Sequence, residues 1–316
     1  MFLRNRYNYL ASLFVLYFVF ILYNLFSLQI INIEQSIQDI DKQTFDIVYL
    51  PAPRGEIYDK NDQKLVTTSL EPHLYINLRK INNENINQYK QYVKYNFKEF
   101  SNSDIEEIFS SKEILYLLKN INDVNYIERQ ALLELEAFEI FDYPIRKYLY
   151  ENIASHILGY IGRPTAEEFQ LYPETIKNGI VGKSGVEKSY EEKLSGTAGE
   201  ITFKGSELIK YEPPIPGEDL YISIDIETQI VVTESLEQGI ALANENFDSE
   251  NIIQKGAVVV MDIDTGEIVS MVSVPDFNPN KFVKGISGFD FKQLNRIEAF
   301  NNFAIQGLYP PGSVFK

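Results

Sequence analysis

The chain has 316 residues and a formal net charge of −16, from 45 acidic against 29 basic side chains, with no cysteine and two histidines. That length accommodates two folded units, and 45% hydrophobic with 13% aromatic residues suffices for packed cores. The composition excludes disulfides, thiolate nucleophiles and cysteine-ligated zinc, argues against nucleic-acid binding through charge repulsion, and leaves His73 and His156 as partly exposed side chains without a catalytic or metal-binding task.

The first predicted element is a membrane anchor. From Leu10 to Leu28 no residue is charged, and the apolar character persists to Ile31. About 20 apolar residues cross a bilayer core as a helix. Arg4 and Arg6 precede the run, while Glu34, Asp39 and Asp41 follow it. The positive-inside rule then puts residues 1–9 in the cytoplasm and the bulk of the chain outside. The residues from Gln29 to Glu34 offer no small-residue cleavage site, so the span 10–31 is read as an uncleaved anchor rather than a signal peptide. Ile33 to Lys42 is a polar connection.

Residues 45–216 mix short β-like runs with helical stretches and read as one α+β domain. Between Ile81 and Ala137, Ile108, Ile114, Leu117 and Leu118 fall at helical spacing and predict surface helices. The proline-rich run Tyr211 to Gly217 predicts a linker, because proline resists both helix and central strand. Leu220 to Ile224 then predicts a short strand, with Asp225 at a helix N-cap. Ile226, Ile230, Leu236, Ile240 and Ala243 predict one buried helical stripe. A hairpin follows, Ala257 to Met261 pairing with Glu267 to Ser273 around the turn Asp264-Thr265-Gly266. Asn278-Pro279-Asn280 marks a second turn, and Phe289 to Gln306 is helical or irregular.

Two motifs fail on inspection. Gly182-Lys183-Ser184 lacks the earlier glycine of a phosphate-binding loop, where Lys177 stands instead. Asp262, Asp264 and Gly266 lack the remaining ligands of a calcium loop, and a hairpin turn accounts for them. A third motif carries chemistry. Pro310-Pro311-Gly312 suits a helix start, which places Ser313 in the first turn with Lys316 three residues on, facing the same side. A serine hydroxyl needs a base to become a nucleophile, and a lysine can serve once its pKa is lowered. Ser-x-x-Lys alone favours the start of an ordinary surface helix over a nucleophile and its base.

The surrounding motifs decide between these readings. Arg54-Gly55-Glu56-Ile57-Tyr58-Asp59, Gly159 to Gly162, the run Gly182 to Glu191 with Gly196 and Gly199, Pro216 to Leu220, Asp264 to Ile268 with Ser273 and Pro275, and Tyr309 to Ser313 occur in that order. In these elements the chain resembles class B penicillin-binding proteins, and in Tyr309 to Ser313 and Phe282 to Ser287 their elongation subfamily more than the division one.

The resemblance implies an α+β pedestal, or dimerisation, domain over 45–216. From 217 to 316 it implies the beginning of a serine β-lactamase-like transpeptidase domain, incomplete after Ser-x-x-Lys. It casts Ser313 as the nucleophile toward D-Ala-D-Ala stem peptides and β-lactams, and Lys316 as proton acceptor. No cofactor or metal is implied. Arg54, Gly55, Asp59, Gly182, Gly185, Glu187, Tyr190, Gly196 and Gly199 are read as structural rather than catalytic. Implied partners are a polytopic glycosyltransferase and elongation scaffold proteins, and the implied location is the bacterial inner membrane, single-pass. Because the family's Ser-x-Asn and Lys-Thr-Gly elements follow the nucleophile, the 316 residues by themselves are expected to be inactive. The alternative expectation is a non-catalytic anchored scaffold.

Overall fold

The computed structural model describes residues 13–24, 45–111, 113–171, 175–205, 207–246 and 252–309. They divide into two units, 1–47 with 202–210, and 48–201 with 211–316. In the first, residues 13–24 form helix α1 with exposed apolar side chains. Among the described residues no helix is long and apolar enough to cross a membrane, and the remainder of the predicted anchor 10–31 lies outside them. The connection 33–42 also lies outside. Strand β1 (Asp46–Leu50) belongs to a three-stranded sheet ordered β1–β8–β9, where β8 is Gly199–Lys204 and β9 is Glu207–Glu212.

The second unit is organised by a long antiparallel pair. Strand β2 (Ile57–Tyr58) leads through a turn into β3 (Lys64–Asn77), whose partner β5 (Phe138–Tyr148) is in register from Val66–Tyr148 to Ile76–Phe138. Strand β4 (Leu115–Asn120) flanks the far end of β3. Helices α2 (Ile86–Asn96) and α3 (Asn102–Ser110) cover that end, burying Tyr89, Val93, Ile105 and Ile108 against Leu74, Ile76 and Phe138. Ser101 starts α3 with a reciprocal capping box, its hydroxyl accepting from the Asp104 amide.

Ile108 is helical as predicted, but Leu117 and Leu118 are not. Leu115–Asn120 is a strand, and Ile114 precedes it. Apolar runs this short fit either period, and pairing with β3 decides for the strand. His73 also departs from expectation. It is 7% exposed in β3, tilted against Tyr143 with ring centroids 5.2 Å apart. The β3–β5 pair shields it, which its isolated position in the sequence does not reveal.

After α4 (Tyr126–Leu133) and β5, short elements build the base of the unit: α5 (Ser155–Leu158), β6 (Ile161–Gly162), α6 (Glu168–Leu171), β7 (Val181–Gly182), α7 (Gly185–Ser189) and α8 (Glu191–Leu194). Leu158, Leu194, Tyr148, Leu65 and Ile57 share one core there with Ile226. The proline-rich run is held by backbone bonds. Ile215 and Thr197 exchange both backbone hydrogen bonds at 2.9 Å, and Gly217 N–H donates to Pro53 O at 2.9 Å. Proline does not prevent this, because Ile215 between the prolines and Gly217 after them supply the donors.

Strand β10 (Leu220–Tyr221) adds to β2 in parallel, and α9 (Ile226–Asn246) starts where Asp225 Oδ1 accepts from the Thr228 amide at 3.0 Å. That amide holds the Asp225 carboxyl below its ordinary pKa. The hairpin of β11 (Gly256–Met261) and β12 (Ile268–Val274) packs on α9. Its turn is closed by Asp262, whose Oδ1 accepts from the amides of Asp264 and Thr265 at 2.8 and 3.0 Å. Of the predicted stripe on α9, Ile226 is buried and Ile230, Leu236, Ile240 and Ala243 are half-buried. Helices α10 (Asn280–Val283), α11 (Gly288–Arg296) and α12 (Phe303–Gln306) follow, enclosing an aromatic cluster of Tyr160, Phe277, Phe282 and Phe300.

Candidate functional site

Ser313 and Lys316 lie outside the described residues, as does the approach from Pro310. What is described is the support that delivers the chain to Tyr309. Ser273 of β12 takes the Phe303 amide on its hydroxyl at 2.9 Å and donates to Asn301 O at 3.2 Å. Asn302 caps α12 through the Ala304 amide, and Tyr309 Oη donates to Phe303 O at 3.3 Å. Behind this, Gln229 of α9 is 1% exposed and satisfied from both ends of its amide. Its Nε2 donates to Met271 O at 2.9 Å, and its Oε1 accepts from Ser270 Oγ and Met271 N–H at 2.8 and 2.9 Å. The hairpin is thereby fixed to the helix by side-chain bonds as well as by apolar packing.

Most of the predicted motif residues meet at the base of the unit. Arg54, Glu187 and Glu191 are at most 3% exposed. Arg54 Nε donates to Glu187 Oε2 at 3.0 Å, and its Nη2 reaches Glu191 Oε2 at 2.8 Å. Arg146 of β5 is the fourth member, with Nε 2.8 Å from Glu187 Oε1. Tyr148 Oη donates to the same oxygen at 3.2 Å, and the Gly182 amide donates to Glu191 Oε2 at 2.8 Å. Two cations and two anions balance. Burial alone would raise the Glu187 pKa, but Arg146 and Arg54 outweigh it and hold the carboxyl below its ordinary value. Burial opposes the charge on Arg54 too, and Glu187 and Glu191 drive its pKa above the ordinary value. Burial, then Glu187, pushes the Tyr148 phenol well up. Both carboxylates are committed to guanidinium groups, so the cluster holds structure and has no free base to offer.

The glycines explain why the cluster is needed. A Cβ on Gly55 would stand 1.8 Å from Glu218 O, and one on Gly182 would stand 2.0 Å from Glu187 O. Backbones therefore touch here, and their buried carbonyls require donors. Arg146 Nη1 supplies them, reaching Gly55 O at 2.6 Å and Arg54 O at 3.3 Å. Gly185 has φ +56°, which L side chains resist, and Gly196 and Gly199 lie against the backbone of Ile215 and Glu212.

Asp59 performs a double task. Its Oδ1 accepts from the amides of Asn61 and Gln63 at 2.7 and 2.8 Å, closing the β2–β3 turn, while Oδ2 accepts from the first amide of α9, Ile226, at 3.1 Å. Tyr190 stands apart from the cluster, with its side chain 43% exposed. Its contribution is main-chain, accepting from the amides of Lys193 and Leu194 at 3.0 and 2.9 Å.

Sequence reasoning does not single out Arg146, Glu191, Tyr148, Gln229 or Asn178. Asn178 is 2% exposed and bridges Ala52 N–H to Ser195 O through its amide, at 2.7 and 3.0 Å. Arg146 had a signal: it alternates with Pro144 and Tyr148 on the inward face of β5. Among the described residues no group of three or more His, Asp or Glu is placed to hold a metal.

The penicillin-binding protein dimerisation domain matches over residues 49–222, and the penicillin-binding protein transpeptidase domain over 256–316. The peptidoglycan D,D-transpeptidase MrdA of Acinetobacter baumannii is 30% identical over 306 residues, covering 92% of this chain and 43% of the relative. That of Haemophilus influenzae is 29% identical, covering 93% and 46%. Penicillin-binding protein 3 of Bacillus subtilis is 28% identical, covering 87% and 40%. The chain therefore spans somewhat under half the length of these relatives. The solved complex between PBP2 and MreC from Helicobacter pylori shares the fold, with TM-score 0.66 and 24% identity over 85% of this chain and 50% of that one. With one of the two family domains spanning over half of its residues and the second reaching residue 316, the chain belongs to the penicillin-binding proteins.

Proposed function

We propose that the protein to which these residues belong is a peptidoglycan D,D-transpeptidase of the elongation type, working through an acyl-enzyme on Ser313. The observation that carries this is the transpeptidase domain match over 256–316, which runs through Ser313 and Lys316. The MrdA relatives support the reaction class. Lys316 takes the serine proton, Ser313 Oγ attacks the carbonyl between the two D-alanines, and terminal D-Ala departs. An amine of a neighbouring stem peptide then accepts the acyl group, which forms the cross-link. A β-lactam acylates the same hydroxyl.

In this reading 1–9 is a cytoplasmic tail, 10–31 a single membrane span, 45–216 the pedestal and 217–316 the first part of the transpeptidase domain. The long apolar run and the preceding arginines support the topology. An MreC-like scaffold protein is the proposed partner, by analogy with the Helicobacter pylori complex. A polytopic glycosyltransferase is proposed on the family resemblance alone. Residues 1–316 alone do not form the acyl-enzyme, because the Ser-x-Asn and Lys-Thr-Gly elements complete the proton network.

Labelling with a fluorescent penicillin tests this. The gene product carried past Lys316 through Lys-Thr-Gly takes the label, and its Ser313→Ala variant does not. Retention of label by S313A, or no label on the longer product, refutes the mechanism. A gene product that ends at Lys316 and takes no label favours the scaffold reading.

A further inference from the structure

Asp276 follows β12 in the transpeptidase portion, and Asn152 precedes α5 in the dimerisation portion. Asn152 Nδ2 donates to both carboxylate oxygens of Asp276, at 3.2 and 3.1 Å. Other bonds cross beside them. Asn280 clamps the Tyr148 backbone, accepting its amide at 2.9 Å and donating to its carbonyl at 2.8 Å, and His156 Nε2 donates to Ala299 O at 2.9 Å. We propose that the Asn152–Asp276 contact is an acid-strengthened joint, through which the dimerisation module holds the transpeptidase portion more tightly as pH falls.

Glu187 and Glu191 face arginines and Asp59 is held by three backbone amides, whereas half-buried Asp276 has one side-chain amide, that of Asn152, on its two oxygens. The small cavity beside it is lined by Asn152, Ser155 and His156 from one module, and by Gln229, Thr233 and Ser273 from α9 and β12. The charge that acts on it is Glu237 of α9, of like sign. His156, the other titratable group on the cavity, is driven toward its neutral form by burial, against its bond to Ala299 O. Burial, opposed by Asn152 and aided by Glu237, pushes the Asp276 pKa up to about 6.

Protonation removes the charge and leaves an oxygen to accept from Asn152. It also creates an O–H donor. Ser155 Oγ, buried in the same cavity, has no hydrogen-bond partner among the described residues. Ser155 Oγ is thus an unused acceptor on the same cavity.

The sign follows from linkage. A carboxyl ordinarily near 3.8 rises to about 6 when the joint is closed. Between those values the closed form holds a proton that the open form lacks, so closure strengthens as pH falls through 6 and gains nothing further below about 4. Between pH 7.5 and pH 5 the closing equilibrium changes by about tenfold.

Hydrogen exchange of the 316-residue chain in detergent, corrected for the chemical rate at each pH, reads this directly. Protection of peptides 146–160 and 273–283 rises about tenfold from pH 7.5 to 5 in the wild type, while the ratio for Asp276→Asn stays near one. Glu237→Gln, on the exposed side of α9, moves the midpoint to lower pH. Equal pH ratios in the wild type and D276N overturn the proposal. Should D276N not fold, an E237Q midpoint at the wild-type pH overturns it.

Discussion

Replacing Glu187 by glutamine tests how the base of the dimerisation module is held. The amide keeps the shape of the side chain but removes its charge. Two guanidinium groups, on Arg54 and Arg146, are then left with Glu191 as the remaining anion. The substitution also turns one acceptor into a donor. Either Arg54 Nε, now at 3.0 Å, or Arg146 Nε, at 2.8 Å, must face an N–H. Breaking a buried pair from one side costs about 3–5 kcal/mol, because a desolvated charge is left uncompensated. At about 2–4 °C per kcal/mol, E187Q should melt roughly 10 °C below the wild type. Tyrosine emission and far-ultraviolet circular dichroism can follow urea unfolding, since the chain has 21 tyrosines and no tryptophan. A double-mutant cycle then separates charge from shape. Arg146→Met alone strands Glu187 with half of its cationic partners, but with E187Q it leaves Arg54 paired to Glu191 and charge balanced. The double variant should lose clearly less than the sum of the single losses. Additive losses, or an E187Q loss under about 1 kcal/mol, would refute the account.

Two further outcomes follow from close contacts elsewhere. Gly55→Ala should cost roughly 3 kcal/mol in urea unfolding, since its Cβ would sit 1.8 Å from Glu218 O and one of the two backbones must move; a neutral effect would show that the approach is looser. Tyr58 donates to Glu56 at 2.5 Å, and that bond, with burial and the charges of Glu56 and Asp219, pushes its phenol up to about 12. Ultraviolet titration should show this one phenol returning toward 10 in Glu56→Gln, and an unchanged titration curve would disprove the coupling.

Legibility in the sequence tracked the distance over which each feature is determined. The hairpin at β11 and β12 and the N-cap at Asp225 were readable because the alternation, the turn residues and the cap all lie within a few residues. Leu115 to Asn120 was not, because its partner His73 to Asn77 stands about forty residues away, and two leucines beside each other fit a helix as well as a strand. Glycines at 182, 185, 196 and 199 were readable as backbone positions, but not the surfaces they touch. Glu191 belongs to the same motif as Glu187, yet nothing local says that it turns inward while Tyr190 turns out. Arg146 is visible only once β5 is known to bury Pro144 and Tyr148 on the same face. The bonds that hold the proline-rich run were unreadable for a related reason. Proline restricts its own backbone, but the bonds that hold this segment come from Ile215 and Gly217.

A buried ion network at the base of a domain demands a cause, since apolar residues of similar volume often stabilise as well or better. The close backbone approaches supply one. Where Gly55 meets Glu218, and Gly182 meets Glu187, the space is too narrow for a side chain of any kind. Apolar filling is therefore excluded, and the carbonyls of Arg54, Gly55 and Glu187 are buried with it. Arginine is the side chain that can serve several carbonyls at once: Arg146 reaches those of Arg54 and Gly55, and Arg54 reaches that of Glu187 at 3.2 Å. The guanidinium charges then require anions, which Glu187 and Glu191 provide, and the spare lone pairs of those anions take Tyr148 Oη and the Gly182 amide. Each group answers a need created by the one before it. The segments so joined are 133 and 137 residues apart in the chain, which makes the network a means of registering distant strands and turns against one another.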